Sequence, residues 1–158
     1  RVTELLAPWG IEAGVDLDIV LGPGYSRVDS LSALLARHKG LRANITQTTR
    51  RISDHMRNAD LAITSGGRTV LELASLEVPT VVICQNARET THLYATEENG
   101  VINLGLHSTV DDTTLLTSVL NIATNDAKRL EMKEKAKRLK LKQGKRRVIG
   151  EILALLED

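Results

Sequence analysis

Short apolar runs alternate with segments of helical periodicity along most of this sequence, from residue 16 to residue 123. Four apolar runs and the weaker stretch 42–47, bounded by turn residues, predict strands at 16–22, 42–47, 60–64, 80–84 and 101–105. Apolar spacings of three and four residues predict helices at 27–38, 49–59, 69–77, 89–99 and 110–123, and two closing helices at 127–141 and 145–157. The strand runs lack a regular polar alternation, which is typical of strands buried on both faces of a parallel sheet. We therefore predict an α/β domain with a doubly wound, mostly parallel sheet and helices on both faces.

The composition indicates an ordinary globular protein without metal or disulfide chemistry. A chain of 158 residues with 42% hydrophobic content is predicted to form one domain, 1–158. A single cysteine, Cys84, excludes an internal disulfide and is predicted to be a small buried residue. The histidines His38, His55 and His107 show no metal-ligand spacing, so we expect neither a metal nor a cofactor. No targeting or membrane-spanning run is visible, and we predict a cytoplasmic location.

Positive charge is concentrated near the end of the chain. Residues 128–147 hold eleven lysines or arginines and two glutamates, whereas the net charge of the whole chain is +1. We assign a basic C-terminal helical segment to 126–158, and its simplest interpretation is a solvated helical face. The alternative is contact with a partner domain or with an anionic membrane surface. Nucleic acid is not a predicted partner, because Trp9, Tyr25 and Tyr94 are the whole aromatic content and no recognition motif is present.

The sequence Ser-Gly-Gly at 65–67 lies between a predicted strand and a predicted helix. In doubly wound sheets, ligands bind outside the carboxyl ends of the strands. Glycines let the backbone approach a ligand closely, and free N–H groups at such a turn suit a phosphate or a pyrophosphate. Glu72 follows one helical turn later, on the side of Arg68 and Thr69, and a carboxylate there suits the hydroxyl pair of a ribose. The alternative is structural, since Thr69 and Glu72 also match a capping box.

The segment after the predicted strand 80–84 is unusually polar for a loop that leaves a buried strand. Gln85 and Asn86 can hydrogen-bond a phosphate or a sugar hydroxyl, and Arg88 can pair with a phosphate. His92 is a candidate acid or base, and the alternative is a polar surface residue on the predicted helix 89–99.

A second glycine loop follows the first predicted strand. Gly22 and Gly24 flank a proline there, which is a weak signal for phosphate binding and otherwise a tight turn. Neither a P-loop nor a Gly-x-Ser-x-Gly elbow is present, so motifs leave the catalytic residues unknown.

The string ADLAITSGGRTVLELASLEVPTVVI, followed by a Gln-Asn corner and by NGVINLG, resembles the C-terminal domain of glycosyltransferase B-type (GT-B) proteins. It is most similar to the spore coat polysaccharide biosynthesis family and to the UDP-sugar hydrolase of pseudaminic acid synthesis. The transferase that adds N-acetylglucosamine to lipid-linked muramoyl peptide is similar over the same stretch. The non-hydrolysing UDP-N-acetylglucosamine 2-epimerases share a Ser-Gly-Gly followed by acids. The resemblance covers residues 16–105 well and the final GKRRVIGEIL more loosely.

The resemblance implies a Rossmann-like C-terminal half of a GT-B fold with a nucleotide-sugar site, and a UDP-sugar as partner. It assigns the diphosphate to the Ser-Gly-Gly turn and Thr69, the ribose to Glu72, and a phosphate or the sugar to Gln85 and Asn86. With the residues singled out by position, the candidate substrate-binding residues are Gly22, Gly24, Ser65, Gly66, Gly67, Arg68, Thr69, Glu72, Gln85, Asn86 and Arg88. The implied function is one half of a glycosyltransferase or UDP-sugar hydrolase in surface polysaccharide or nonulosonic acid synthesis.

The resemblance also implies a second domain. GT-B enzymes hold their active site between two domains, and the catalytic histidine of the hydrolase belongs to the N-terminal one. The chain begins inside a helix-like stretch at Arg1, so we expect a fragment that lacks that domain and is inactive alone. Two departures stand out, since Gln85 and Asn86 reverse the usual Asn-Gln and Arg68 replaces a small residue. The alternatives are half of a 2-epimerase or a non-catalytic binding module fused to another enzyme.

Overall fold

A computed structural model describes residues 1–157, which form α-helices, parallel strands and three short 3-10 helices. The helices and strands are α1 (Val2–Ala13), β1 (Asp16–Leu21), α2 (Val28–Arg37), β2 (Arg42–Gln47), α3 (Ile52–Arg57), β3 (Ala62–Thr64), α4 (Thr69–Ser75), β4 (Thr80–Cys84), β5 (Val101–Leu106), α5 (Asp112–Ala123), α6 (Asp126–Arg138) and α7 (Gly144–Glu157). The chain divides into two compact units, Arg1–His55 and Met56–Asp158. This architecture of parallel strands flanked by helices confirms the predicted α/β class.

The first unit contains a pair of parallel strands. β1 and β2 are in register from Asp16 opposite Arg42 to Leu21 opposite Gln47, and α2 provides the crossover between them. The β2 strand has the predicted bounds although its sequence is only weakly apolar. Both strands carry exposed residues, such as Asp18 and Asn44, so the prediction of strands buried on both faces is wrong for this pair. Gly14 ends α1 in the left-handed conformation with a φ of 66°, a backbone geometry that glycine adopts without strain.

The second unit contains a three-stranded parallel sheet in the order β3-β4-β5. The central strand β4 is buried along its whole length, as its apolar residues 81–84 predict. Helices α4, α5 and α6 belong to the same unit, and α4 packs against β4 and α6. The core residues of α5 and α6 are Leu115, Val119, Ile122, Met132 and Ala136.

The basic segment begins with a capped helix. The Asn125 side chain accepts a hydrogen bond from the Lys128 N–H at 2.9 Å, which caps α6. Lys128 and Lys135 pair with Glu131, and these hydrogen bonds lower the pKa of the Glu131 carboxyl. Part of the positive charge is therefore neutralised within the helix itself. Across residues 1–157, no helix combines the length and the apolarity needed to cross a lipid bilayer.

The predicted helix 89–99 is wrong. Two 3-10 turns, Glu89–Thr91 and Glu97–Asn99, stand there, with extended backbone at His92 and Thr96. The side chains of this segment hydrogen-bond to nearby backbone carbonyls, as Thr91 Oγ1 does to Arg88 at 2.8 Å. Such local bonds compete with helical ones, and the first residue of the segment, Glu89, is bonded to the distant Gly66 N–H. The remaining predicted elements are present, with ends that differ by a few residues, α3 being the shortest of the helices relative to its prediction.

Candidate functional site

The glycine turn and the Gln-Asn corner meet at the carboxyl edge of the three-stranded sheet. β3 and β4 are parallel, with Thr64 opposite Val82, so both strands end on the same side. Residues 65–68 and 85–88 continue from those ends. The two segments therefore lie at the same edge, and the Glu89 side chain hydrogen-bonds to both of them.

Glu89 holds the two segments together with its carboxylate. Its Oε2 accepts the backbone N–H of Gly66 at 2.9 Å and that of Gln85 at 2.8 Å. Its Oε1 accepts the side-chain amide of Asn86 at 3.3 Å, and the Asn86 Oδ1 accepts the Glu89 backbone N–H at 3.2 Å. A carboxylate that accepts several N–H groups makes strong, charge-assisted hydrogen bonds. Glu89 therefore joins the ends of β3 and β4 in one network.

Gly66 is a glycine because its surroundings leave no space for a side chain. A Cβ at this position would lie 3.0 Å from the Cys84 Sγ and 3.0 Å from the Glu89 Cβ. A Cβ at Gly67 would have its nearest neighbour at 3.7 Å, the Ser65 hydroxyl, which is an ordinary contact. The two glycines thus differ in role, since packing requires the first and leaves space at the second.

His92 lies on the other side of the same turn. Its Nδ1 is 2.6 Å from the carbonyl oxygen of Gly66. A carbonyl oxygen only accepts hydrogen bonds, so we infer that Nδ1 carries a proton and that Nε2 is the acceptor of the neutral ring. The glycine turn thereby orients the His92 ring. The sequence did not predict this contact, because it placed His92 on the surface of a helix.

A cleft of about 200 Å³ opens beside the glycine turn. Its lining is formed by Gly66, Gly67, Arg68, Val70, Leu71, His92, Tyr94 and Ala95. Within the described chain, the Tyr94 hydroxyl is buried and has no hydrogen-bond partner. Burial raises the pKa of this phenol above its ordinary value. A buried hydroxyl without a partner is uncommon in proteins.

Of the predicted site residues, the structure brings Gly66, Gly67 and Arg68 to the cleft. Ser65 and Thr69 are partly buried at the turn, whereas Glu72 is exposed and does not line the cleft. The exposed residues of the neighbouring corner are Gln85, Asn86 and Arg88.

Gly22 and Gly24 follow β1 in the other unit, where the Tyr25 N–H closes a turn on the Gly22 carbonyl at 3.1 Å. This is the tight turn that the sequence offered as the alternative, and a ligand contact there stays a prediction.

The capping-box interpretation is wrong. Arg68 is the N-cap of α4, has no side-chain capping bond, and leaves Thr69 as the first helical residue. Thr69 therefore does not stand at the position that a capping box requires. Within the described residues, the Glu72 carboxylate makes no hydrogen bond or ion pair, so it is available to a ligand.

Sequence reasoning missed Glu89 and Tyr94 as residues of the candidate site. The sequence pattern presents Glu89 only as part of a helix start. The sequence offers one indication for Glu89. It lies four residues after Gln85, in a segment that is unusually polar for a loop leaving a buried strand. For metals, no three His, Cys, Asp or Glu side chains in the described range are placed to hold an ion.

Cys84 gives the stability of the domain an alkaline pH dependence. Burial, and then the charge of the nearby Glu89 carboxylate, raise the pKa of the thiol above its ordinary value of 9.0. The unfolded chain loses this proton first, so the contribution is full below pH 9.0 and is lost as the pH rises above it. We expect the free energy of unfolding to fall there by up to about 1.4 kcal/mol per pH unit from this group.

The Cys84→Ala variant should lack that component. Urea unfolding of both proteins on either side of the thiol's ordinary pKa should give a steeper decline for the wild type than for the variant. Slopes that stay parallel in the alkaline range would contradict the assignment, and the smaller core side chain shifts only the offset between the curves.

The fold defined by these elements is the C-terminal half of a GT-B fold. The structure matches the crystal structure of MurG from Acinetobacter baumannii with a TM-score of 0.65 and 21% sequence identity, over 90% of this chain and 40% of that chain. Residues 8–148 match the glycosyltransferase family 28 C-terminal domain, so the chain belongs to that family. The predicted resemblance to a GT-B C-terminal domain is therefore confirmed.

Among curated proteins, the chain is 36% identical over 72 residues to the uncharacterized protein MJ1062 of Methanocaldococcus jannaschii. That match covers 45% of this chain and 15% of the relative. The chain thus spans less than half the length of each of these two proteins.

Proposed function

We propose that this chain, over 1–158, is the nucleotide-sugar-binding domain of an enzyme that transfers or hydrolyses the sugar of a sugar nucleotide. The observation that carries the proposal is a cleft beside a glycine turn at the carboxyl edge of a parallel sheet, in a glycosyltransferase family 28 domain. Membership of this family supports sugar-nucleotide binding of the glycosyltransferase type.

The finer part of the proposal concerns the ligand and the pathway. A UDP-sugar is the proposed ligand, and surface polysaccharide or nonulosonic acid synthesis is the proposed setting. This part rests on the resemblance of the segment around the glycine turn to the spore coat and pseudaminic acid families. An N-terminal domain is the proposed partner, because GT-B active sites lie between two domains.

The diphosphate is proposed to bind on the Gly67 and Arg68 side of the turn. Among the described residues, the backbone N–H groups of Gly67 and Arg68 have no hydrogen-bond partner, and both residues line the cleft. The exposed Arg68 guanidinium adds a positive charge that can pair with a phosphate. The N–H of Gly66 is already taken by Glu89 and does not contribute.

The remaining ligand contacts are assigned to side chains that have hydrogen-bonding capacity left within the described chain. Glu72 is exposed and unpaired in the described chain, one helical turn beyond Arg68, and is proposed to accept the ribose hydroxyls. His92 Nε2 is proposed to accept a hydrogen bond from a sugar hydroxyl. The other proposed contacts in this unit are Ser65, Thr69, Gln85, Asn86 and Arg88.

Glu72→Gln should weaken UDP binding about tenfold, because a hydrogen bond to a charged group is worth roughly 1.5–3 kcal/mol. The measurement is a titration of the ¹⁵N-labelled domain with UDP, followed by backbone amide shifts. We expect shifts at residues 66–72 and 85–92. The melting temperature should fall only slightly, since the Glu72 carboxylate has no hydrogen-bond partner in the described chain and loses only its interaction with the dipole of α4.

Glu98→Gln is the matched control, because Glu98 is also exposed and the substitution is the same. It should bind UDP like the wild type. Equal affinities for Glu72→Gln and wild type would remove Glu72 from the site. Shifts confined to other parts of the chain, or none at millimolar UDP, would refute the proposed site as a whole.

A further inference from the structure

Both polar groups of the Gly66 residue are held by side chains from the turn that follows β4. Its N–H donates to Glu89 Oε2 at 2.9 Å, and its carbonyl oxygen lies 2.6 Å from His92 Nδ1. Gly66 is buried and packs directly against the Glu89 side chain, with no space for a Cβ between them. The first glycine is therefore fixed by this chain, while Gly67 next to it remains open to a ligand.

We propose that Glu89 is a positioning residue of the nucleotide-sugar site, which orients the glycine turn and bars a ligand anion from the Gly66 N–H. The proposal rests on the function proposed above and deepens it. The phosphates are thereby directed to the N–H groups of Gly67 and Arg68, on the cleft side of the turn.

The charge of Glu89 explains why the phosphates are directed to Gly67 and Arg68 and not to Gly66. The carboxylate occupies the N–H groups of Gly66 and Gln85, which are the donors that an anion at the ends of β3 and β4 would need. A second anion on the same donors would meet a fixed negative charge in a half-buried place, where repulsion is poorly screened. Asn86 completes the network by exchanging two hydrogen bonds with Glu89, so the carboxylate cannot turn away without losing several bonds at once.

Glu89→Ala removes the carboxylate, and Glu89→Gln keeps one acceptor oxygen in the same place without the charge. Glu98→Gln is the control for the loss of one exposed acid from this region. If Glu89→Ala proves poorly folded, Glu89→Gln carries the test.

The first measurement needs no ligand and is the hydrogen exchange of the Gly66 and Gln85 amides. We expect exchange at least tenfold faster in Glu89→Ala, with Glu89→Gln intermediate and Glu98→Gln unchanged.

The second measurement is binding of UDP and of uridine to the same proteins. We expect at least fivefold weaker UDP binding in Glu89→Ala, a smaller loss in Glu89→Gln, and less than twofold change for uridine. A general loosening of the domain would weaken both ligands alike, whereas misplaced phosphate donors affect UDP alone.

Three results would overturn the proposal. Unchanged amide exchange in Glu89→Ala would show that the carboxylate does not hold the turn. Tighter UDP binding in either variant would show that Glu89 competes with the phosphates and does not position them. Faster exchange together with no UDP binding by the wild type would refute the proposed function, and would leave the Glu89 network as a feature of the fold alone.

Discussion

Alanine at position 100 is expected to lower the free energy of unfolding by about 3 kcal/mol or more. Gly100 ends the second 3-10 turn with a φ of 77°, a conformation that costs an L-residue about 1–2 kcal/mol. A Cβ there would also overlap the carbonyl oxygen of Met132 and lie 3.1 Å from its carbonyl carbon. Because these are backbone atoms in the middle of α6, relief requires the helix to move off the sheet edge where β5 begins.

Alanine substitutions at two other glycines distinguish the cost of the backbone conformation from the cost of the steric overlap. Gly105 has a φ of 85° but nothing within 4 Å of the position that a Cβ would take, so Gly105→Ala should cost only the conformational part, about 1–2 kcal/mol. Gly144 is helical and equally unobstructed, so Gly144→Ala should be neutral or slightly stabilising. Urea unfolding of the three variants measures the order. If Gly100→Ala were no less stable than Gly105→Ala, α6 could move away from the new methyl group at little cost.

The second large effect is expected for Gly66→Ala, which should lose at least tenfold in UDP affinity and about 1–3 kcal/mol in stability. The new methyl group would press on the Cys84 thiol and on Glu89, including its backbone oxygen at 3.2 Å. Strand β4 is fully buried and cannot yield, so the Glu89 turn must move away. The hydrogen bonds that orient the glycine turn are then broken or lengthened.

Gly67→Ala is the comparison for stability, since its Cβ would meet only the Ser65 hydroxyl at an ordinary distance. It should match or slightly exceed the wild type in unfolding free energy. Thermal and urea unfolding, with UDP titration on the same samples, test both variants. If the two alanine variants were equally stable, the packing argument for Gly66 would be incorrect.

The order of strands and helices was predictable because each depends on short-range patterns. Residues 81–84 form an uninterrupted apolar run, and with Thr80 they become the fully buried central strand. Strand 42–47 has its predicted bounds, since turn residues delimit it on both sides. The place of the glycine turn also follows from local sequence, because small residues between a strand and a helix mark the edge where parallel strands end.

The segment 89–99 shows where local patterns fail. Its residues have the length and spacing of a short helix, yet Glu89 bonds to Gly66, which is 23 positions away in sequence. No periodicity reports such a partner, because the bond exists only once β3 and β4 are paired. The same holds for the orientation of His92 by the Gly66 carbonyl and for the unpaired hydroxyl of Tyr94 within the described chain.

The sequence by itself thus determined an α/β chain with parallel strands and a fully buried strand at 80–84, a glycine turn at a sheet edge and an acid one turn beyond it. These features depend on backbone preferences and on hydrophobic spacing, which act over a few residues. Only the tertiary structure decided that Gly66 is enclosed and Gly67 open, and that Glu89 occupies the donors which the glycine pattern offered to a phosphate. Those outcomes depend on which side chains the paired strands bring within hydrogen-bonding distance, and spacing along the chain does not encode that distance.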